Sequence, residues 1–437
     1  MHLLTDPPRF LLFTGKGGVG KPSLACATAV TLADAGRRVL LVSTDPASNI
    51  AQVLGQTIGD TVTTITDVAG LSAVEIDPEA AAAAYRERIV GPVRGLLPDA
   101  EIAAITEQLS GSCTTEVAAF DEFTELLSSD ELAEAYDHIV LDTAPTGHTI
   151  RLLQLPGSWT EFLQAGKGDA SCLGPLSGLE KQRTAYARAV QTLQDAATTR
   201  LVLVTRAQRS ALDEAARTAA ELDAIGVHPS SLVVNALMPD LDDDPLANAI
   251  RRSEQAALAT LPEPLRRLTR DDLELQPVNV IGVATLRHLL DDAPPARDFP
   301  PSEDQAEPAL TADERGLDRL VDALEADGHG VVLCMGKGGV GKTTVAAALA
   351  VALAHRGRQV HLATTDPAAH LRQTLPIEID RITVSQIDPA RATADYRDHV
   401  MATRGKNLDD EGRATLAEDL RSPCTEEIAV FQQFSRL

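Results

Sequence analysis

The sequence predicts an α/β fold of two homologous domains, each a mostly parallel sheet covered by helices, with the second domain truncated at its C-terminal side. Three observations predict it. Short apolar runs of strand character alternate with long helical stretches; residues 10–54 recur almost end to end at residues 331–375; and each copy carries the same glycine-rich loop between its first strand and its first helix. Alternation of this kind builds a parallel sheet with both faces covered. A repeat this long is a duplicated domain, not a solenoid unit.

Taken in order, the strands of the first copy are FLLFT from Phe10, RVLLVSTD from Arg38, SAVEID from Ser72, HIVLDTAP from His138, RLVLVTR from Arg200 and SLVVNAL from Ser231. Each is a short run rich in aliphatic and β-branched residues, separated from the next by helical sequence. The second copy opens on VVLCM from Val331 as the equivalent first strand. Its likeness to the first copy continues beyond the loop: VEIDPEAAAAAYRERIV from Val74 aligns with SQIDPARATADYRDHVM from Ser385, and SCTTEVAAFDEF from Ser112 with PCTEEIAVFQQF from Pro423. A counterpart of HIVLDTAPTGHT is expected shortly after residue 437, so the second copy reads as incomplete. Between the copies, DDAPPARDFPPSEDQAEPALTAD from Asp291 is acidic, rich in proline and without helical or strand period, the composition of a linker. The expected division is residues 1–290, a linker over 291–330, and residues 331–437.

A net charge of -24 excludes nucleic-acid binding through a bulk positive field. No run approaches the roughly 18 apolar residues of a membrane span, and the N-terminus lacks the basic start of a signal peptide. Five cysteines without a dense framework fit a reducing compartment. The expected location is the cytoplasm. Of seven lysines, four lie in the two glycine loops, Lys16, Lys21, Lys337 and Lys342, in a chain that otherwise uses arginine. A compact ammonium is therefore wanted there.

The loops read GKGGVGKPS from Gly15 and GKGGVGKTT from Gly336. This is the P-loop of nucleoside triphosphatases, in which glycines turn successive backbone N–H groups toward phosphates and the following helix adds partial positive charge. The cradle residues are Gly15, Gly17, Gly18, Val19, Gly20, Lys21 and Ser23 in the first copy. In the second they are Gly336, Gly338, Gly339, Val340, Gly341, Lys342, Thr343 and Thr344. Lys21 and Lys342 are placed to reach the β- and γ-phosphates of ATP, and the Thr343 hydroxyl to hold Mg²⁺. The first loop departs from the pattern at Pro22, which has neither that hydroxyl nor an N–H. Proline is tolerated in a first helical turn, so the expectation is an intact fold with weak MgATP chemistry at the first site. Ser23 does not replace the hydroxyl, because one step along a helix turns a side chain by about 100°. Cys26 and Cys334, flanking the loops, read as small core residues.

The extra lysines Lys16 and Lys337 resemble the signature lysine of the deviant Walker A ATPases, which crosses a dimer interface to the facing nucleotide. Two fused copies would form such a pair within one chain. Within that group the chain most closely resembles the arsenical pump-driving (arsenite-translocating) ATPase family: STDPASN at Ser43 and TTDPAAH at Thr364 resemble its first switch, and DTAPTGHTIRLLQLP from Asp142 its second. The resemblance implies that Asp45 and Asp366 orient the attacking water, that Asp142 supports Mg²⁺ through its hydration shell, and that Asn235 contacts adenine. It also implies that Cys113, Cys172 and Cys424 bind trivalent arsenic or antimony as allosteric activator, with His148 and Ser422 nearby. A soft ion prefers three thiolates, and Cys113 and Cys424 hold equivalent places in the repeat where helices are expected to begin, a setting that lowers a thiol pKa. Further implications are an integral-membrane arsenite efflux pump as partner, an arsenic metallochaperone as a second one, and peripheral placement at the inner membrane. The alternative is an ATPase that targets tail-anchored membrane proteins, which shares the loop and switches. Against it stand two loops in one chain, only four methionines and no CxxC pair.

Overall fold

The computed structural model describes residues 1–44, 50–96, 98–109, 112–143, 179–241, 244–290, 317–326, 328–336, 340–364, 379–409, 412–413, 416–417, 420 and 423–436. The chain divides into two compact units, Met1–Pro295 and Ala296–Leu437.

The first unit is built on a single eight-stranded sheet. Its strands are β1 (Phe10–Thr14), β2 (Val39–Ser43), β3 (Thr63–Thr64), β4 (Leu71–Glu75), β5 (His138–Asp142), β6 (Thr199–Thr205), β7 (Ser231–Leu237) and β8 (Thr269–Glu274), in the order β3-β4-β2-β5-β1-β6-β7-β8. All neighbours are parallel except β3 with β4. Each of the four central strands carries an unbroken apolar stretch, such as residues 10–13 and 39–42, because both faces are covered. Alternate residues of β1 divide between two cores: Leu11 and Phe13 pack with helix α1 (Lys21–Asp34), whereas Phe10 and Leu12 lie on the opposite face with Leu212 and Leu222. Helices α2 (Ile50–Leu54), α3 (Pro78–Val90), α4 (Asp99–Gln108), α5 (Ser112–Ser128), α6 (Asp130–Ala135), α7 (Leu179–Gln194), α8 (Arg209–Ala224), α9 (Pro245–Ala259), α10 (Glu263–Arg266) and α11 (Val283–Leu289) complete the described part of this unit.

The six strands expected here are present, with ends shifted by up to three residues. The sequence pattern gives no warning of β3 or β8. β3 has two residues, and β8 reads TRDDLE, in which only Asp271 and Leu273 are buried. A strand at a sheet edge meets solvent on most of its surface, so the apolar run that marks an inner strand is missing.

The second unit contains α12 (Asp318–Ala326), α13 (Lys342–His355), β9 (Val360–Thr364), β10 (Ile382–Gln386), α14 (Pro389–Thr403) and α15 (Pro423–Phe434). It repeats the first unit in detail. β9 pairs with β10 from Val360↔Ile382 to Thr364↔Gln386, as β2 pairs with β4 from Val39↔Leu71 to Ser43↔Glu75. Asp388 caps α14 by accepting from the N–H groups of Ala390 and Arg391, as Asp77 caps α3 through Glu79 and Ala80. Thr114 and Thr425, equivalent in the repeat, are both buried.

Three features differ from the sequence reading. Residues 331–335 form no strand, and Val331 and Met335 are 86% and 84% exposed. In the first unit β1 is hydrogen-bonded on both sides, to β5 and β6; among the described residues of the second unit no strand offers those edges to 331–335. For the same reason Cys334 is half-buried and not a core residue. Finally, α12 lies within the span assigned to the linker. DRLVDALEA carries helical spacing of Leu320, Val321 and Leu324; Val321 is buried, and Arg356, just past the end of α13, binds Asp322 and Glu325.

Candidate nucleotide site

The carboxyl ends of β1, β2 and β5 meet beside the first glycine loop. In register, Ser43 at the end of β2 faces Asp142 at the end of β5, and the Ser43 hydroxyl donates to the Asp142 carboxylate at 3.5 Å. The Thr44 N–H donates to the Asp142 carbonyl at 2.9 Å, and the Thr143 hydroxyl to the Phe13 carbonyl at 2.9 Å. Three strand ends are thus tied together at the crevice outside a parallel sheet where ligands of such folds bind. Asp142 is fully buried. Ser43 is the partner that sequence reasoning passed over. Its place at the end of an apolar strand is readable, but its pairing with Asp142, 99 residues away, is not.

The loop leaves β1 through Gly15 and enters α1 through Gly20, which caps the helix in the left-handed region with φ 95°. A Cβ on Gly15 would stand 2.2 Å from the Val204 carbonyl oxygen of β6, and one on Gly20 would stand 2.2 Å from the Asn235 side-chain nitrogen. The first contact, with backbone, excludes any side chain and the second would displace the Asn235 amide, and the positive φ values also favour glycine. Val19 is buried in the core beneath the loop, and its carbonyl accepts from the Asn235 amide at 2.7 Å. The structure therefore brings Asn235, at the end of β7, against the loop backbone itself.

Lys21 is 3% exposed, and its ammonium donates to the carbonyls of Gly15 and Lys16 at 3.1 and 3.4 Å. A cation folded over its own loop in this way lies beside the backbone that would cradle phosphates. Pro22 is the second residue of α1. The first helical bond runs from the Leu24 N–H to the Gly20 carbonyl, so the missing proline N–H interrupts nothing. Lys16 points to α8, where its ammonium meets Glu214 at 2.8 Å. Cys26 sits behind the loop, fully buried. Burial, with the negative charges of Asp142 and Glu75, pushes its thiol well above the usual range and keeps it protonated, as a packing group requires.

The second loop retains part of this design. Gly341 caps α13 with φ 91° and ψ 18°, close to the 95° and 23° of Gly20, and Thr343 occupies the position that Pro22 holds in the first copy. Val340, unlike Val19, is exposed.

Several expected site residues lie outside the described ones: Asp45, Asp366, Lys337, Gly338, Gly339, His148, Cys172 and Ser422. Cys113 and Cys424 are each the second residue of their helices, α5 and α15, with side chains outside the described set.

The profile of the anion-transporting ATPases matches residues 8–293 and 329–437. The chain belongs to the anion-transporting ATPase family. Members of that family similar to it include an arsenical pump-driving ATPase of Escherichia coli, 57% identical over 100% of this chain and 75% of that protein. Another, from Acidiphilium multivorum, is 55% identical over the same shares. The ATPase GET3 of Zygosaccharomyces rouxii is 31% identical over 56% of this chain and 76% of its own length. Both copies of the family's domain are thus matched in this chain.

Proposed function

We propose that this chain is the ATP-hydrolysing, metalloid-activated subunit that drives arsenite or antimonite export through a membrane pump. The observation that carries the reading is identity of 57% along the whole chain to an arsenical pump-driving ATPase, against 31% over about half the chain for the GET3 relative. The same contrast weighs against the targeting of tail-anchored proteins. Among the described residues, no helix is long and apolar enough to cross a membrane, so the export path is assigned to a partner.

The cradle fits a nucleotide. Gly15 and Gly20 let the loop backbone turn against Val204 and Asn235, where a Cβ would collide, and Lys21 and the start of α1 supply positive charge beside that backbone. In this reading the loop N–H groups and Lys21 bind phosphate, Asp142 with Ser43 supports Mg²⁺ through its hydration shell, and Asp45 and Asp366 orient water. Asn235 contacts adenine, and Lys342, Thr343 and Thr344 take the corresponding roles in the second loop. Mg²⁺ supplies charge neutralisation at the phosphates. Lys16 and Lys337 bring further cations to the phosphates. Cys113, Cys172 and Cys424 are the thiolate ligands for As(III) or Sb(III), with His148 and Ser422 beside them, and an arsenic metallochaperone is a further partner.

The deciding measurement is As(III) binding to the purified, reduced chain and to its Cys113→Ser, Cys172→Ser and Cys424→Ser variants. One metalloid per chain, weakened by each substitution, is the expected result. Absence of binding, or binding indifferent to all three changes, would overturn the metalloid reading and return the targeting ATPase to first place.

A further inference from the structure

The contact between Lys16 and Glu214 is unlike the surface ion pairs elsewhere in the chain. Glu214 lies in the second turn of α8, and α8 follows β6, the strand hydrogen-bonded to β1 from Phe10↔Thr199 to Thr14↔Leu203. Sheet register therefore brings the start of α8 alongside the loop that leaves β1. The two side chains are only 30% and 15% exposed. Most of the other pairs expose at least one partner by half or more, as Arg94 with Glu87 and Arg188 with Asp130 do. Partial removal from water strengthens the attraction between opposite charges and penalises a carboxylate left without its cation. The Glu214 Oε2 is buried and lies 2.8 Å from the Lys16 ammonium, its charge partner. Lys21, six residues from Gly15 and the other cation of the loop, is folded onto the loop carbonyls instead. The ammonium of Lys16 thus rests on an acid of a neighbouring helix.

We propose that Glu214 is a positioning residue that restrains Lys16 within the first unit and must release it before that ammonium can serve a phosphate. The proposal rests on the nucleotide reading for what Lys16 does after release, but the restraint itself exists without nucleotide. A phosphate carries more charge than a carboxylate and competes for the same ammonium. Glu214 thereby sets how much nucleotide is needed to draw Lys16 away, and it keeps the lysine off the loop while no phosphate is present.

The test is acylation of the full-length, nucleotide-free protein with an amine-reactive ester, read peptide by peptide by mass spectrometry, with exposed Lys406 as internal standard. In Glu214→Gln the rate at Lys16 should rise about two- to fivefold relative to Lys406, the ratio matching the usual strength of a partly exposed pair. Glu214→Asp, which keeps the charge on a shorter arm, should give a smaller rise and guards against loss of folding in the glutamine variant. Repeating the labelling over a series of MgATP concentrations, half-protection of Lys16 should come at lower ATP in Glu214→Gln than in the natural protein. Unchanged Lys16 labelling in both variants would overturn the restraint. Weaker ATP protection in Glu214→Gln would overturn it too, since the carboxylate would then be helping the bound state. If ATP protects Lys16 in neither protein while the nucleotide-free rates still differ, the restraint stands and the nucleotide reading fails.

Discussion

Pro22 occupies the second position of α1, where the ring leaves the helix intact because that N–H has no partner within it. Its cost is chemical. The position that carries a hydroxyl in the second loop, at Thr343, carries only a ring here, and Ser23 is turned away by a helical step; on the proposed reading that hydroxyl is the one that would hold Mg²⁺. Pro22→Thr should therefore raise Mg²⁺-dependent ATP turnover at the first site by roughly tenfold or more, each decade corresponding to about 1.4 kcal/mol of barrier. Thermal stability should change by less than about 1 kcal/mol. Turnover unchanged by this substitution, with Lys342 replaced to silence the second loop, would overturn the expectation that Pro22 weakens the first site. A second residue-scale effect is electrostatic. Partial burial, then the neighbouring charges of Glu125, Asp121 and Asp60, push the Glu122 carboxyl above its ordinary value of 4.5. A carboxylate with a raised folded pKa costs stability when ionised; the native state gains from its proton below the unfolded value and loses that gain as pH rises through the folded one. Glu122→Gln should accordingly melt at a higher temperature than the natural protein at pH 7, and the gap should close below about pH 4.5. Melting curves across that range would settle the sign.

At the scale of elements, β8 shows how a polar strand earns its place. Asp271 is buried on β8, and its carboxylate accepts from the N–H groups of His2 and Leu3, each at 2.8 Å. Leu3 is fully buried, and Arg200 on β6 binds the Leu3 carbonyl at 2.8 Å. The chain start is thereby pinned to the sheet edge. Asp271→Ala leaves the buried Leu3 donor and the part-buried His2 donor unmet and should cost about 1–3 kcal/mol, read by denaturant unfolding, with faster hydrogen exchange confined first to residues 2–5. An Asp271→Ala protein of unaltered stability would show the clamp to be idle. Nothing in TRDDLE announces this role. The inner strands were legible because burial on both faces forces unbroken apolar runs, and the loop was legible because close backbone approach at Gly15 and Gly20 permits few other residues. β8, Ser43 and Glu214 were not legible. Each acts through a partner far away in sequence, Leu3, Asp142 and Lys16 respectively, and no local pattern encodes such a pairing. Conversely, VVLCM had strand sequence without becoming a strand, because apolar alternation fixes a propensity whereas a strand also needs a neighbour to bond.

For the molecule as a whole, the duplicated units share their β-α-β register and caps but not their means of stabilisation. The first unit encloses its central strands in two large cores, one on each face of the sheet. In the described part of the second unit the sheet has two strands, and its two apolar clusters are small, Ala347, Ala350 and Leu362 in one and Ile387, Ala392 and Ala429 in the other. Apolar side chains from residues 331–335 and Phe431 face solvent. Stability rises with the fraction of apolar surface buried, and two units with unequal cores need not unfold together. Heating should therefore give two calorimetric transitions, with the second unit melting first. Native-state hydrogen exchange should agree: amides of β9 and β10 should exchange through low-energy local opening, while those of β1, β2 and β5 persist to the global limit. A single transition, with equal protection in β9 and β2, would mean that the second unit draws its stability from the first, and would remove the reason to treat its exposed apolar segment as a local weakness. With two transitions, addition of MgATP becomes informative, because a ligand raises the melting temperature of the unit that binds it. The intact Thr343 loop should shift the lower transition upward, and Pro22→Thr should add a shift to the upper one.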